Sequence, residues 1–209
     1  MVVRLTAWFL LLVVAWPAQA DEMDHQLNEA RLVFLRGVDG DRHAVREATH
    51  RFMSMSNAHP REPVFLAYLG ACMSLQGRDA ENNFDKRRLT DEGLGEIDRA
   101  LKMQSAGADQ NPQRYLDTLL VAVNTFIQVP GFFNRYDRGK RLLREILADR
   151  AFDGMAPVFK AATYMAAALV AHGEGDDAEY RRYLNLIVST DPGGRYGRKA
   201  SKILEAHSK

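Results

Sequence analysis

His43, Glu47 and His50 are the nearest approach to a reactive cluster in this chain. At spacings i, i+4 and i+7 one helix face presents all three, and imidazole with carboxylate is a metal-ligand set. An ion needs ligands that converge, however, and i to i+7 spans about 10 Å of helix axis. Arg46 and Arg51 beside them oppose a cation, so the set reads as a solvated helix face. Cys72 is the single cysteine. A nucleophilic thiol needs its pKa lowered by a neighbouring His or a helix N-terminus. Cys72 lies instead between Ala71 and Met73 in an apolar run, where a cysteine behaves as a small buried hydrophobe. Asp176 and Asp177 lack the further oxygen ligands of a calcium loop and suit the start of a helix, whose dipole favours carboxylates. G-x-S-x-G, H-E-x-x-H, Gly-rich phosphate loops and C-x-x-C are all absent. The sequence therefore predicts no enzyme, no metal and no cofactor.

Recognition chemistry is better represented. Two inserted stretches carry aromatics and arginines: Arg78 to Leu89, with Phe84 and the run Lys86-Arg87-Arg88, and Val129 to Arg135, with Phe132 and Phe133. Aromatics in such stretches either plug gaps between helices or stand out as anchors for a partner. Arg78 with Asp79, or Arg135 with Asp137, are alternatively pairs that pin those stretches. Asp117, Val121, Asn124 and Gln128 form a mixed stripe opposite an apolar one. Amides beside apolar surface can recognise a peptide backbone, so Asn124 and Gln128 are candidate binding residues, and equally they are solvent-facing positions. The candidate binding set is Asn124, Gln128, Phe132, Phe133, Arg135, Arg78 and Phe84.

Helices must position these residues. No stretch after residue 20 alternates apolar and polar residues long enough for a strand, whereas apolar residues recur at helical spacing. Leu116, Leu119, Leu120, Val123 and Ile127 form one stripe, Leu142, Leu143, Ile146 and Leu147 another, and Tyr180, Tyr183, Leu184, Ile187 and Val188 a third. Pro63 and Pro112 sit where a helix begins. Thr90 and Asp39 are candidate N-caps. Gly37, Gly77 and Gly173 stand where a helix ends in a left-handed residue. The reading is all-α, about nine helices near 23–36, 41–57, 62–76, 90–104, 112–128, 136–148, 155–171, 176–189 and 194–206, forming four hairpins and a final helix.

Pro60, Pro112 and Pro192 each follow the second helix of a hairpin. Leu66, Leu69 and Gly70, then Gly93, Ile97 and Ala100, set small residues where two helices cross, as do Tyr164, Ala167 and Ala168 before Tyr180, Leu184 and Ile187. This pattern resembles the tetratricopeptide repeat, in degenerate form because the two insertions lengthen inner turns. The resemblance spans nearly all of 21–209 and implies antiparallel helix pairs stacked as a short solenoid that binds peptides or protein surfaces. Small residues at the crossings have a physical reason, since larger side chains keep ridges from interlocking. Ala161, Ala162, Ala166, Ala167 and Ala168 predict a helix packed closely on two sides.

Residues 1–20 read differently. Arg4, an apolar run from Ala7 to Ala15, and Ala18-Gln19-Ala20 are the three parts of a secretory signal peptide, with cleavage expected before Asp21. The run is short of the ~20 apolar residues of a membrane span. Losing Arg4 removes one of 28 basic residues, which balances the 27 acidic ones. A neutral chain has no field to draw it to nucleic acid or anionic lipid. A single cysteine and no N-x-S/T sequon favour a bacterial periplasm. The basic side of the last helix, Arg195, Arg198, Lys199 and Lys202, with Lys209 beyond it, reads as a polar cap, leaving membrane contact unexpected after cleavage. The leading expectation is a single helical domain over 21–209 acting as a periplasmic scaffold for an envelope protein or an extended peptide. The alternative is a carrier of a small anionic solute, with Arg78, Arg87, Arg88 and Arg135 at one rim.

Overall fold

The computed structural model describes residues 16–107 and 111–206, with side chains from Glu22 onward. Among the described residues there are nine α-helices and no strand: α1 (Trp16–Val38), α2 (Arg42–Ala58), α3 (Pro63–Asp79), α4 (Asn83–Ser105), α5 (Pro112–Gln128), α6 (Tyr136–Ala148), α7 (Pro157–Gly173), α8 (Asp177–Thr190) and α9 (Arg195–Ala206). Short 3-10 turns, Gly131–Phe133 and Arg150–Gly154, precede α6 and α7. Most of the expected leader, residues 1–15, lies outside the described residues, and α1 is continuous across the junction before Asp21.

The helices pair as α1–α2, α3–α4, α5–α6 and α7–α8, and α9 packs on α7 and α8. The first helices of the pairs also touch in sequence, making a row α1–α3–α5–α7–α9. That is the expected stack of antiparallel hairpins. Its core falls into three successive clusters along the stack. Leu27, Phe52, Val64 and Phe65 lead a first cluster in α1–α3. Leu94, Leu116, Phe126 and Ile146 lead a second in α4–α7, and Met165, Leu184 and Ile187 a third in α7–α9. Ala162, Ala166 and Ala167 face the second cluster and Ala161 and Ala168 the third, so α7 is indeed packed on two sides.

Close approach is tightest where α3 crosses α4. A Cβ built at Gly70 would lie 2.4 Å from the Gly93 carbonyl oxygen, and one at Gly93 would lie 2.3 Å from the Gly70 carbonyl oxygen. Only hydrogen fits at either position, which accounts for the paired glycines in the repeat-like pattern.

Several local expectations are corrected. α4 does not start after Thr90 but at Asn83, capped by Asn82, whose side chain accepts from the Asp85 amide at 2.8 Å. The supposed insertion Arg78–Leu89 is therefore mostly helix. Thr90 is mid-helix, with its hydroxyl donating to the Lys86 carbonyl at 2.7 Å. Asp41, not Asp39, caps α2, accepting from the amides of His43 and Ala44. Gly37, Gly77 and Gly173 are helical; a left-handed glycine follows α1 at Gly40 and α7 at Gly175, and α3 ends at Ala80 with none. Gly37 and Gly77 are small because other helices press on them. Added Cβ atoms would lie 2.9 Å from Val45 Cγ2 and 2.4 Å from Thr90 Oγ1. Asp176 does cap α8, accepting from the Glu179 amide at 3.0 Å.

Candidate functional site

Two surfaces gather the candidate residues. The first lies where the start of α4 meets the turn before α6. Phe84 is on the first turn of α4 and 75% exposed, and Phe132 is 64% exposed. The turn Gly131–Phe133 sorts its two rings. Pro130 and Gly131 carbonyls accept from the Phe133 and Asn134 amides, and left-handed Asn134 redirects the chain into α6. Phe133 is thereby packed against the second core cluster while Phe132 stays outside, ring centroids 4.4 Å apart. The Arg87 guanidinium, one turn beyond Phe84 on α4, sits 6.0 Å from the Phe132 ring centre. Its pairing with Asp91 is long, 3.9 Å. Phe132 and the Arg87 cation are thus exposed together, with exposed Phe84 one turn before Arg87 on α4, an arrangement suited to docking an apolar side chain of a partner.

The second surface is the inner face of the helix row. Arg31 of α1 donates to Asp117 of α5 at 2.5 Å and to the Tyr68 hydroxyl of α3 at 3.2 Å. The Tyr68 hydroxyl donates to Asp117 at 3.0 Å. Burial opposes the Arg31 charge, but the Asp117 carboxylate outweighs it and holds the guanidinium pKa above its ordinary value. Burial first, and the Asp117 charge second, push the Tyr68 phenol well above the usual range. Arg114 of α5 repeats the theme, donating to Glu62 at 2.8 Å and lying 3.5 Å from Asp24 of α1. α5 thus reaches α1 across α3, so the row is strongly curved. Of the mixed stripe, Asp117 and Val121 are consumed by this closure. Asn124 is half-buried and donates to the Leu120 carbonyl, and Gln128 is exposed and donates to the Asn124 carbonyl. Both amides keep a carbonyl oxygen for other partners.

Three arginines of the anticipated rim, Arg78, Arg88 and Arg135, are engaged in ion pairs and caps. Arg78 donates to the carbonyls of Gly37 and Val38, capping the end of α1, and pairs with Asp79. Arg88 pairs with Asp85 and Glu92. Arg135 pairs with Asp98 of α4 at 2.8 Å rather than with Asp137, and lies with Arg138 over the Phe126 ring. Sequence reading missed Asp98, which lies 37 residues before Arg135 and is recognisable only once α5 has brought α4 and the start of α6 within side-chain reach.

Among the described residues no group of His, Cys, Asp and Glu is arranged to hold a metal. Glu47 is taken up by Arg51 and Arg36. Cys72 is fully buried, and burial pushes its thiol up to about 12, the reverse of a nucleophile's shift. A cleft of about 440 Å³ lies between α4, α5 and α6, floored by Leu101, Leu119 and Leu142 and rimmed by Lys102, Arg138 and Glu145. Among the described residues no helix is long and apolar enough to cross a membrane. No family model, no curated protein and no solved structure matches the chain.

Proposed function

We propose that the chain is a non-catalytic binding scaffold of the tetratricopeptide type, exported and acting in the periplasm. Its partner is an envelope protein or an extended peptide docked at the aromatic patch of Phe84, Arg87 and Phe132. One observation supports this reading: two phenylalanines are left mostly in water, whereas the other aromatics among the described residues are buried or half-buried. Leaving such a ring exposed forgoes roughly 2 kcal/mol of burial, which a partner recovers on docking. Stacked hairpins supply a rigid frame for that surface and require no reactive group.

In-cell crosslinking tests the reading. A photoreactive phenylalanine analogue at position 132 captures a defined partner, and Phe84→Ala removes the adduct without changing the amount of protein. An adduct that persists in Phe84→Ala but disappears in Asn124→Ala moves the dock to the inner face. Absence of any discrete adduct at either surface defeats the scaffold reading itself.

A further inference from the structure

One face of α4 carries more than the aromatic patch. Phe84, Arg87, Asp91, Gly95, Asp98 and Lys102 recur every three or four residues and so form a single ladder along the helix. Phe132 and Arg135, then Arg138, Leu142 and Glu145 of α6, keep the same interval. The two ladders meet rung by rung in the same order. Arg87 lies over Phe132, Asp98 holds Arg135 and Arg138, and Leu101 and Lys102 share the cleft with Leu142 and Glu145. α4 and α6 therefore run parallel, both resting on α5 without forming a packed pair with each other among the described residues. What separates them is a furrow, lined at the cleft end by Tyr115 and Leu119 of α5.

Length and charge define what fits. Phe84 to Lys102 covers about 27 Å of helix axis, the reach of about eight extended residues. An added helix, about 10 Å wide, would have to break the arginine ties to Asp98, whereas an extended chain passes over them. At Gly95 nothing lies within 4 Å of an added Cβ, so the α4 side of the furrow is bare backbone between its two ends. Both ends are apolar: the exposed rings of Phe84 and Phe132, and the cleft of about 440 Å³ over Leu101, Leu119 and Leu142. Carboxylates at the cleft are already occupied. Asp98 has two arginines, and Glu145 accepts from the Tyr115 hydroxyl at 2.5 Å. The cations at the two ends are not. Lys102 is exposed and makes no ion pair among the described residues, and Arg87 has only its long contact to Asp91. The unmatched charge in the furrow is positive, so a complementary occupant is acidic.

We propose that the furrow between α4 and α6 binds an extended acidic segment of the partner through two apolar anchors. One anchor sits at Phe84 and Phe132, the other about eight residues away in the cleft, with carboxylates facing Arg87 and Lys102. The inference deepens the scaffold reading and rests on its dock at Phe84, Arg87 and Phe132. It adds the second anchor, the extended conformation and the acidic character, each of which can fail while the dock stands.

A photoreactive phenylalanine analogue in place of Ser105, which lines the cleft, is compared in cells with the same analogue in place of Phe132. Both should capture one partner, and mass spectrometry should map the two adducts to a single segment, about six to ten residues apart. Binding of a fluorescent synthetic peptide of that segment to the purified protein is then measured in solution. Lys102→Gln and Arg87→Gln should each weaken it about twofold to fivefold, as losing an exposed ion pair does, and the double variant by roughly the product of the two. Lys199→Gln, exposed on α9, should leave binding unchanged. Three results overturn the furrow and leave the dock intact: an adduct at Phe132 without one at Ser105, two adducts too far apart for one extended segment, or an affinity indifferent to Lys102→Gln. An adduct to a second copy of this chain overturns the peptide occupant. No adduct at Phe132 removes the dock, and the furrow with it.

Discussion

The crossing of α3 and α4 gives the sharpest test of how the fold is specified. In Gly93→Ala the new methyl carbon would sit 2.3 Å from the Gly70 oxygen and 2.8 Å from the Ser74 amide nitrogen. A relaxed carbon–oxygen contact is about 3.3 Å or more, so the helices must part by roughly 1 Å. The obstacles include backbone atoms, and turning a side chain cannot relieve all of them. Overpacking of this kind costs about 1–3 kcal/mol. A gap of 0.5–1 Å along the rest of the seam forfeits about a quarter to a half of each contact there. Alanine's helix preference returns at most about 1 kcal/mol. The net expectation is a loss of about 2–4 kcal/mol, or a fall in Tm of roughly 5–15 °C at this chain size. Gly95 provides the control on the same helix, because nothing lies within 4 Å of an added Cβ. Gly95→Ala should raise stability by about 0.5–1 kcal/mol from propensity alone. Gly70→Ala combined with Gly93→Ala should cost less than the sum, since one separation serves both methyls. Urea unfolding of the native protein, Gly70→Ala, Gly93→Ala, Gly95→Ala and the double variant measures all of this. Equal midpoints for Gly93→Ala and Gly95→Ala would refute the close-packed crossing.

The buried network predicts that Asp117→Ala, which strands the Arg31 charge and the Tyr68 hydroxyl, costs about 3–5 kcal/mol, whereas Tyr68→Phe costs about 1–2 kcal/mol, both read by chemical denaturation. The buried Cys72 thiol, raised to about 12, keeps its proton in the folded chain while the unfolded chain releases it above about pH 8.5. Its contribution is complete below that pH and declines above it by at most about 1.4 kcal/mol per pH unit until the folded pKa is reached. Cys72→Ala should delay the onset of alkaline destabilisation toward about pH 10, where the unfolded chain begins to ionise Tyr68; an unchanged onset contradicts the assignment. Phe84→Ala and Phe132→Ala, being exposed, should each leave Tm within about 0.5 kcal/mol equivalent of the native protein, and a larger loss would mean that the rings hold the fold.

The sequence revealed helices wherever a helix buries a face, and went silent where one does not. α5, α6 and α8 carry unmistakable apolar stripes, and their boundaries fall within two residues of expectation. The first two turns of α4 carry no such stripe. They are held by the Asn82 cap and by the pairs Arg88–Asp85 and Arg88–Glu92, which have no hydrophobic period to detect. The same segment then looked like an insertion, with Thr90 as its cap. Glycines misled for a related reason. A glycine that ends a helix and one that lets another helix approach are the same letter, and only the partner at Gly37 or Gly77 tells them apart. Long-range polar partners were beyond reach altogether, since Arg31 and Asp117 are 86 residues apart and meet only after three helices have stacked.

Curvature explains why the candidate residues divide as they do. Had the row been straight, the whole stripe Asp117, Val121, Asn124 and Gln128 would have faced a common groove. Arg31 and Arg114 instead draw α5 toward α1, burying the first half of the stripe in structural contacts and leaving only the second half to line a space. The cleft between α4, α5 and α6 has Asp98, bound by Arg135 and Arg138, at its margin. Asp98→Asn therefore weakens the tie between α4 and the start of α6. If bending sets the inner gap, that substitution should alter the distance between α2 and α9 although it touches neither helix.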